Sequence, residues 1–288
     1  MTNLTDINTI KKILKKNNLY VDKKLGQNFL INKKVLNKII SASEIQNNDH
    51  IVEIGPGLGC LTIELAKLAE KVTAIELDAN LIPILQKNLA KTRNVEILNE
   101  DALEFEPPIA PYKVVANIPY NITSPLINHF VKDTFMSDTP LPPTSLTLLI
   151  QKEVAEKICA LDGKMNVIAL NVQTFADCEI IAEVSKNSFF PAPKVDSAVI
   201  KITPHKSPKV SCDLKKYFHI INTAFSQKRK KIKNSLTPLF KSWNLYPKKI
   251  WEKTDINPDK RPENLQIKDF EKLTLFQTHK RPLKPTFS

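Results

Sequence analysis

Short apolar runs alternate with amphipathic stretches between residues 50 and 204, and this alternation restricts the chain to one class of fold. Six runs predict strands, at 50–55, 71–78, 94–101, 112–119, 145–152 and 197–204. Amphipathic stretches such as 61–70 and 80–91 predict the helices between them. Near-continuous apolar strands that alternate with helices are typical of a parallel sheet covered on both faces. We therefore expect an α/β fold with a doubly wound, Rossmann-like sheet.

The alternation ends at a segment rich in proline and lysine, residues 203–210. Beyond it the periodicity predicts helices over 215–240 and 262–276, and no strand. We predict two domains on this basis. Residues 1–203 form the sheet domain, and residues 204–288 form a small basic helical domain.

Charge is distributed unevenly along the chain. Residues 1–40 carry nine Lys and two Asp (net +7), residues 41–200 have a net charge of −9, and residues 201–288 one of +14. A general lysine bias would not leave the middle acidic, so the basic ends indicate a polyanionic partner such as nucleic acid. The densest basic run, 227–233, is expected on a helix, with part of it as solvated surface. Its candidate phosphate-binding residues are Lys228, Arg229, Lys230, Lys231 and Lys233.

The composition excludes several other classes of protein. A chain that is 42% hydrophobic and 25% charged is globular rather than disordered. No stretch approaches the roughly 18 apolar residues of a membrane span, and the N-terminus lacks the apolar core of a secretory signal. The four cysteines are scattered, which predicts neither a disulfide framework nor a zinc site. We expect a cytoplasmic monomer with no metal and no membrane partner.

Glycine is scarce, and its placement is informative. The chain has five, and three of them, Gly55, Gly57 and Gly59, follow the first predicted strand within one pentapeptide. Glycines there let the backbone approach a nucleotide-like ligand, although a tight turn explains such a loop equally well in isolation. Glu76 ends the second strand, where a carboxylate accepts both hydroxyls of a ribose. The alternative for Glu76 is a solvated strand end.

Asp101 places a third polar group at the same sheet edge. It is a candidate partner for the exocyclic amine of an adenine, and taken alone it is equally a helix cap. The G-x-G-x-G order differs from the pyrophosphate-binding G-x-G-x-x-G turn of dinucleotide dehydrogenases. S-adenosylmethionine contains an adenosine and no phosphate, so we predict it as the cofactor and leave a nicotinamide dehydrogenase as a distant alternative.

The fourth strand ends in Asn117-Ile118-Pro119-Tyr120, and these residues indicate a specific chemistry. The lone pair of an exocyclic amine is delocalised into its aromatic base, which makes the amine a poor nucleophile. The Asn117 side-chain oxygen and the Ile118 carbonyl are placed to accept the two amine hydrogens and to aim the lone pair at a methyl sulfonium. Pro119 stiffens the turn, and Tyr120 offers a face for stacking the base. A plain β-turn is the competing interpretation.

Two aromatic residues, Phe189 and Phe190, are candidates for the opposite wall of the base pocket. A base in a duplex or loop must be flipped out to enter such a pocket, and stacking then holds it. Core packing is an equally good explanation for this pair, and each Phe can serve a different purpose.

Together these residues resemble the ribosomal RNA adenine N6-dimethyltransferase family over nearly the whole chain. Segment 24–30 (KLGQNFL) is similar to the family's N-terminal cofactor motif, and segment 190–197 (FPAPKVDS) to its late signature. The resemblance implies a class I methyltransferase sheet and a C-terminal helical domain. It also implies S-adenosylmethionine contacts from Asn28, Leu30, Gly55, Gly57, Glu76, Asp101 and Asn117.

Segments 224–236 and 261–265 are similar to the helical-domain signatures of the bacterial small-subunit type. Members of that type dimethylate two adjacent adenines in a hairpin loop near the 3′ end of small-subunit rRNA, so the expected partner is that rRNA within a small-subunit precursor particle. Relatives of the macrolide-resistance type instead dimethylate one large-subunit adenine. A non-catalytic RNA-binding assembly factor with the same fold is the alternative outside enzymes.

Overall fold

The strands coincide with the predicted apolar runs and include three that the sequence did not reveal. The structure is a computed structural model that describes residues 3–22, 25–137, 141–161 and 163–276. Its strands are β1 (Phe29–Leu30), β2 (His50–Ile54), β3 (Lys71–Ile75), β4 (Val95–Leu98), β5 (Lys113–Asn117), β6 (Ser145–Gln151), β7 (Ala176–Val184), β8 (Phe189–Phe190) and β9 (Ser197–Pro204).

Seven of the strands form one mixed sheet in the order β4-β3-β2-β5-β6-β9-β7, while β1 and β8 pair separately. The five strands β4, β3, β2, β5 and β6 are parallel to one another. The α/β fold with a Rossmann-like sheet is thereby confirmed. The expectation of a fully parallel sheet was wrong at one edge, since β9 runs antiparallel to both β6 and β7.

The edge strand β7 escaped prediction because its sequence lacks an apolar pattern. Most of its side chains are exposed or half-buried, as expected for a strand at a sheet edge. The two-residue strands β1 and β8 are too short to give any periodic signal.

The helices surround the sheet or follow it in the chain. They are α1 (Ile7–Lys16), α2 (Lys33–Ser43), α3 (Cys60–Leu65), α4 (Ile82–Asn88), α5 (Thr123–Ile127), α6 (Thr134–Met136), α7 (Lys152–Ile158), α8 (Val167–Gln173), α9 (Leu214–Phe225), α10 (Ile232–Ser242), α11 (Pro247–Thr254) and α12 (Ile267–Leu275). A π-helical segment, Asn128–Asp133, joins α5 to α6. Within the described ranges, no helix is long and apolar enough to cross a membrane.

The core beneath the first strands fixes the sheet edge at which a ligand can bind. Ile51 and Val115, from neighbouring strands, are fully buried with Leu65 of α3 and Ile39 of α2 in one apolar cluster. Burial of such side chains contributes about 1.5–3 kcal/mol each. This packing fixes the strands relative to one another. The loops at the carboxyl ends of the strands therefore have defined positions.

The chain divides into two compact units. The first comprises residues 1–159 and 176–206, and the second comprises residues 160–175 and 207–288. The predicted domains, 1–203 and 204–288, stay a prediction, and the compact units differ from them mainly in segment 160–175. That segment joins the second unit because Thr174 and Phe175 contact Tyr217 and Phe218 of α9.

In the described part of the second unit the regular elements are helical, as the sequence predicts. The helical pattern over 215–240 forms two helices, because the chain leaves α9 at Phe225 and starts α10 at Ile232. The backbone N–H groups of Ile232 and Lys233 donate to the carbonyls of Lys260 and Pro258, 2.8 and 3.2 Å away. These bonds to another segment replace the intrahelical bonds that a continuous helix would require.

Candidate functional site

A cavity opens at the carboxyl ends of the parallel strands in the first unit. The loops that follow β2, β3, β4 and β5 all contribute to its walls, together with segment 25–30. Ligands of open α/β sheets bind at this edge. The predicted residues that line the cavity are Asn28, Leu30, Gly55, Gly57, Glu76, Asp101, Asn117, Ile118, Pro119 and Tyr120.

The glycine loop after β2 requires glycine at two of its positions. Gly57 has φ +58°, and a Cβ there would lie 3.3 Å from Cε1 of Phe29. Gly59 has φ +89°, and a Cβ there would lie only 2.8 Å from Cδ1 of Leu85. The left-handed backbone and the crowded surroundings both exclude a side chain. The loop therefore presents its main chain to the cavity.

Glu76 is tied to this loop by hydrogen bonds. Its Oε2 accepts the backbone N–H of Gly57 at 3.0 Å, and its Oε1 accepts that of Asp78 at 2.9 Å. The side chain is only 7% exposed, so the interpretation as a solvated strand end is wrong. Burial raises the pKa of the carboxyl, although the two backbone bonds act in the opposite direction. Each oxygen retains a lone pair that can accept a ribose hydroxyl.

Glu53 is a second buried carboxyl at the cavity, and it was not among the site residues predicted from the sequence. It lies on β2 with 1% exposure, and its Oε2 has no hydrogen-bond partner among the described residues. Burial raises the pKa of Glu53 to about 8, and the nearby Glu76 carboxylate acts in the same direction. At neutral pH Glu53 is therefore largely a neutral acid. A glutamate inside an apolar strand, VEI, was the available signal.

The raised pKa of Glu53 predicts a specific dependence of stability on pH. The folded state keeps a proton that the unfolded state loses above about pH 4.5, so the free energy of unfolding falls as pH rises from 4.5 to 8. The slope approaches 1.4 kcal/mol per pH unit for one such group. Glu53→Gln, which is neutral and of equal size, removes this slope.

Urea unfolding of wild type and Glu53→Gln at pH 5.5 and 7.5 checks this prediction. The variant gains stability relative to wild type at the higher pH, and the gain levels off above pH 8. A stability difference that is the same at both pH values would contradict it. Glu96→Gln, at an exposed ion pair with Lys71, is the matched control.

Asp101 combines the two roles considered for it. Its Oδ1 accepts the backbone N–H of Leu103 at 2.9 Å and so caps a turn, while the residue also lines the cavity. The turn fixes the carboxylate, and its other oxygen remains available as an acceptor.

The side-chain amide of Asn117 has a defined orientation at the end of β5. Its Nδ2 donates to the Asn28 carbonyl at 3.1 Å. This bond leaves Oδ1 as the end of the amide that can accept a hydrogen bond. The carbonyl of Ile118 accepts no hydrogen bond from the residues that the structure describes. Asn117 Oδ1 and the Ile118 carbonyl are thus two neighbouring acceptors at the cavity that receive no hydrogen bond from the described residues.

Tyr120 stands at the same turn, half-buried, and its hydroxyl contacts Ser197 Oγ at 2.6 Å. The backbone N–H of Ile122 donates to the Pro119 carbonyl, which closes the turn. The ring is therefore held at both ends, at the backbone and at the hydroxyl.

The two candidate phenylalanines have different surroundings. Phe189 is 2% exposed and packs in the apolar core with Leu30, its partner across the β1–β8 pair. Its prediction as a base-stacking residue was wrong, because no face of the ring is open to a base. Phe190 is half-buried, and Lys11 Nζ lies 5.3 Å from its ring centroid. Phe190 alone remains a candidate for stacking against the second face of the target base, although it does not line the cavity itself.

The N-terminal motif reaches the cavity through residues 25–30. Lys24 lies outside the described residues. Gln27 donates from Nε2 to Oδ2 of Asp78 at 2.7 Å, which fastens this segment to the chain that follows Glu76. Asn28 supplies the carbonyl that orients Asn117, and Leu30 is buried in the core at the cavity's base. Gln27 and the exposed Leu77 also line the cavity without having been selected from the sequence.

Lys228, Arg229, Lys230 and Lys231, four of the basic residues predicted to bind RNA, lie in the turn between α9 and α10 and not on a helix, whereas Lys233 lies in the first turn of α10. Lys228, Arg229 and Lys230 are exposed there. Lys231 and Lys233 both pair with Asp259, with Nζ to Oδ1 distances of 3.2 and 2.7 Å. The first three cations therefore have the greater capacity for a phosphate.

The chain as a whole matches a recognised family of enzymes. The model of the ribosomal RNA adenine dimethylase family matches residues 18–277. The chain belongs to this family. The resemblance seen in the sequence is thereby confirmed, and with it the assignment as an S-adenosylmethionine-dependent methyltransferase.

Curated relatives and solved structures agree with this membership. The chain is 37% identical to a ribosomal RNA small subunit methyltransferase A from Clostridioides difficile, over 95% of this chain and 96% of that protein. A relative of the same name from Bacillus pumilus is 36% identical, over 92% and 94%. A dimethyladenosine transferase from Plasmodium falciparum has a TM-score of 0.73 at 32% identity, over 86% and 97%. The 23S rRNA methyltransferase ErmE has one of 0.70 at 26% identity, over 88% and 100%.

The donor set of the cavity fits S-adenosylmethionine. A buried carboxylate at Glu76, a main-chain loop without side chains, and Asp101 suit a ribose and an adenine. The G-x-G-x-G order of the loop also differs from the G-x-G-x-x-G turn that binds the pyrophosphate of a dinucleotide. The negative charge at Glu76 also favours a cationic cofactor.

Proposed function

We propose that this chain transfers methyl groups from S-adenosylmethionine to N6 of two adjacent adenines in the 3′-terminal hairpin loop of small-subunit rRNA. The observation that carries the proposal is the orientation of Asn117, whose Nδ2 is occupied by the Asn28 carbonyl. Its Oδ1 then has one role open to it at the cavity, which is to accept a hydrogen from a substrate. The small-subunit target follows the names of the curated relatives.

The chain's own groups prepare the amine. Asn117 Oδ1 and the Ile118 carbonyl accept its two hydrogens, and this draws the nitrogen out of conjugation with the ring and directs its lone pair. The bound cofactor supplies an electrophilic methyl on a sulfonium, which is a good leaving group. No strong general base is needed, since the amine proton is acidic once the nitrogen is alkylated. Orientation and dipole placement are the protein's main contributions.

Other residues of the cavity position the two reactants, the cofactor and the target base. Glu76, Asp101 and the main chain of the glycine loop hold the adenosine of the cofactor, with Asn28 and Leu30 beside it. Tyr120 stacks on the target base, and Phe190 is the candidate for its second face. The pocket must accept adenine first and N6-methyladenine second, and the cofactor must exchange between transfers.

We extend the proposal to the form in which the enzyme acts. We propose a monomer as the active species. Its substrate is a precursor particle of the small ribosomal subunit, which places the reaction in the cytoplasm. The exposed cations Lys228, Arg229 and Lys230 contact the phosphates of that particle.

Tritiated methyl transfer to two substrates tests the choice of target. Undermethylated small-subunit particles and unmethylated large-subunit rRNA are offered in parallel with labelled S-adenosylmethionine. We expect label in the small-subunit RNA. Label confined to the large subunit would favour the resistance-type reaction, to which the similarity with ErmE points. Cofactor binding without label in either RNA would favour the non-catalytic assembly factor.

The exposed cations of the turn between α9 and α10 predict how particle binding depends on salt concentration. Replacing Lys228, Arg229 and Lys230 by Gln weakens binding to the particle and reduces the slope of log K against log salt by about 2. Affinity for S-adenosylmethionine stays unchanged. The measurement is particle binding at 50, 100 and 200 mM salt. Gln at Lys67, Lys87 and Lys91 is the charge-matched control, and an equal loss of slope there would contradict a specific role for the turn.

A further inference from the structure

Among the described residues, the Tyr120 hydroxyl has a single hydrogen-bond partner, the hydroxyl of Ser197, at 2.6 Å. Ser197 is 0% exposed and lies at the start of β9. A buried hydroxyl without a hydrogen bond costs about 1–3 kcal/mol, so this contact constrains both side chains. Ser197 lies in the segment that is similar to the family's late signature, and the resemblance implies no role for it.

Ser197 is held by strands on both of its sides. It pairs with Gln151 of β6 and with Val184 of β7. The preceding residue, Asp196, accepts the backbone N–H of Lys152 on its carbonyl at 3.0 Å and that of Lys186 on its Oδ1 at 2.9 Å. The hydroxyl that meets Tyr120 is therefore part of the rigid sheet rather than of a loop.

Tyr120 itself follows a strand end and sits on a turn. Its backbone is placed by the turn that the Ile122 N–H closes on the Pro119 carbonyl, and the far end of its ring is placed by Ser197. Without the second constraint the half-buried ring is free to rotate about its side-chain bonds. The plane against which a base stacks would then be less well defined relative to Asn117 Oδ1.

We propose that Ser197 is a positioning residue, which fixes the ring plane of Tyr120 and thereby the orientation of the target adenine. The inference rests on the proposed function, because it assumes a base stacked on Tyr120. Ser197 does not touch the substrate and acts only through the Tyr120 hydroxyl.

The second methyl transfer depends on this positioning more than the first. Adenine offers two N–H hydrogens to Asn117 Oδ1 and the Ile118 carbonyl, whereas N6-methyladenine has one left. One of the two hydrogen bonds that orient the amine is therefore absent in the second step. Stacking on Tyr120 must supply a larger share of the orientation. A looser ring slows the second transfer selectively, and the monomethylated product accumulates.

The test compares Ser197→Ala, Tyr120→Phe and the double variant under single-turnover conditions. Both single variants remove the same hydrogen bond, and Tyr120→Phe keeps the stacking face. We expect the second transfer to slow about 5- to 10-fold in each, with a smaller effect on the first. N6-monomethyladenosine then builds up, while the Kd for S-adenosylmethionine stays within 2-fold of wild type. The double variant should be no slower than the more impaired single variant.

Ser43→Ala is the matched control, because Ser43 is equally buried and donates to the Ile39 carbonyl at 2.7 Å. It should lower stability without changing the ratio of mono- to dimethylated product. The proposal would be overturned if the double variant slowed the second transfer by the product of the two single-variant factors. An unchanged product ratio in both single variants would also overturn it. If Ser197→Ala fails to fold, the product ratio of Tyr120→Phe decides alone. Absence of dimethyladenosine with wild-type enzyme would instead overturn the proposed function itself.

Discussion

Asn117→Ala is expected to reduce methyl transfer about 10²- to 10³-fold, the effect typical of removing one preorganised dipole from a reacting centre. The variant loses the oxygen that accepts an amine hydrogen, so the lone pair of the nitrogen stays delocalised into the base. Folding and RNA binding are retained, because the side chain makes one hydrogen bond to the part of the chain that the structure describes, at the Asn28 carbonyl. Single-turnover transfer to the particle measures the loss, and thermal unfolding and particle binding check the rest.

A second asparagine provides the control for this experiment. Asn94 donates from Nδ2 to the carbonyls of Ala66 and Ala69, both at 2.9 Å, and does not line the cavity. Asn94→Ala removes more hydrogen bonds than Asn117→Ala and should leave the transfer rate near that of wild type. Unchanged transfer by Asn117→Ala would exclude the role assigned to Asn117.

Glu76→Gln is expected to weaken S-adenosylmethionine binding about 30-fold. A hydrogen bond to a charged group contributes about 2 kcal/mol, and the neutral amide also loses the attraction for a cationic cofactor. The amide further places an NH₂ group against the backbone N–H of either Gly57 or Asp78, whose bonds to the carboxylate are now 3.0 and 2.9 Å long. Calorimetric titration measures the affinity directly.

The pH dependence of binding adds a second test of Glu76. Burial raises its pKa above the usual 4.5, so wild-type affinity starts to fall on acidification at a higher pH than for an exposed carboxyl. The Gln variant should lack this dependence. Glu100→Gln is the matched control, since Glu100 lies at the same cavity but is exposed. An equal loss of affinity in both variants would contradict a specific ribose contact at Glu76.

The sequence predicted those parts of the site that depend on the ends of apolar strands. Gly55, Glu76, Asp101 and Asn117 each follow a run with a strong hydrophobic signal, and parallel strands bring their carboxyl ends to one edge. Asn28 and Leu30 have no such signal. Their place at the cavity depends on a tertiary contact, the Asn28 carbonyl against Asn117, and they were found only by resemblance.

Other features depend on contacts that no local pattern reveals. Phe189 and Phe190 are adjacent and chemically identical, and the alternation of side chains along β8 buries Phe189 and leaves Phe190 partly exposed. The helix predicted through Lys230 is interrupted because the backbone N–H groups of Ile232 and Lys233 bond to the carbonyls of Lys260 and Pro258, which are distant in the sequence. The antiparallel edge follows from the pairing partners of β9, which periodicity does not encode.

The identity and number of the methylated nucleosides test the central claim most directly. Undermethylated small-subunit particles are treated with the enzyme and S-adenosylmethionine, and the rRNA is digested and analysed by mass spectrometry. We predict N6,N6-dimethyladenosine at two adjacent positions of the 3′-terminal hairpin loop, four methyl groups per particle. A methylated nucleoside other than an N6-methylated adenosine, or modification of a base outside that loop, would contradict the account.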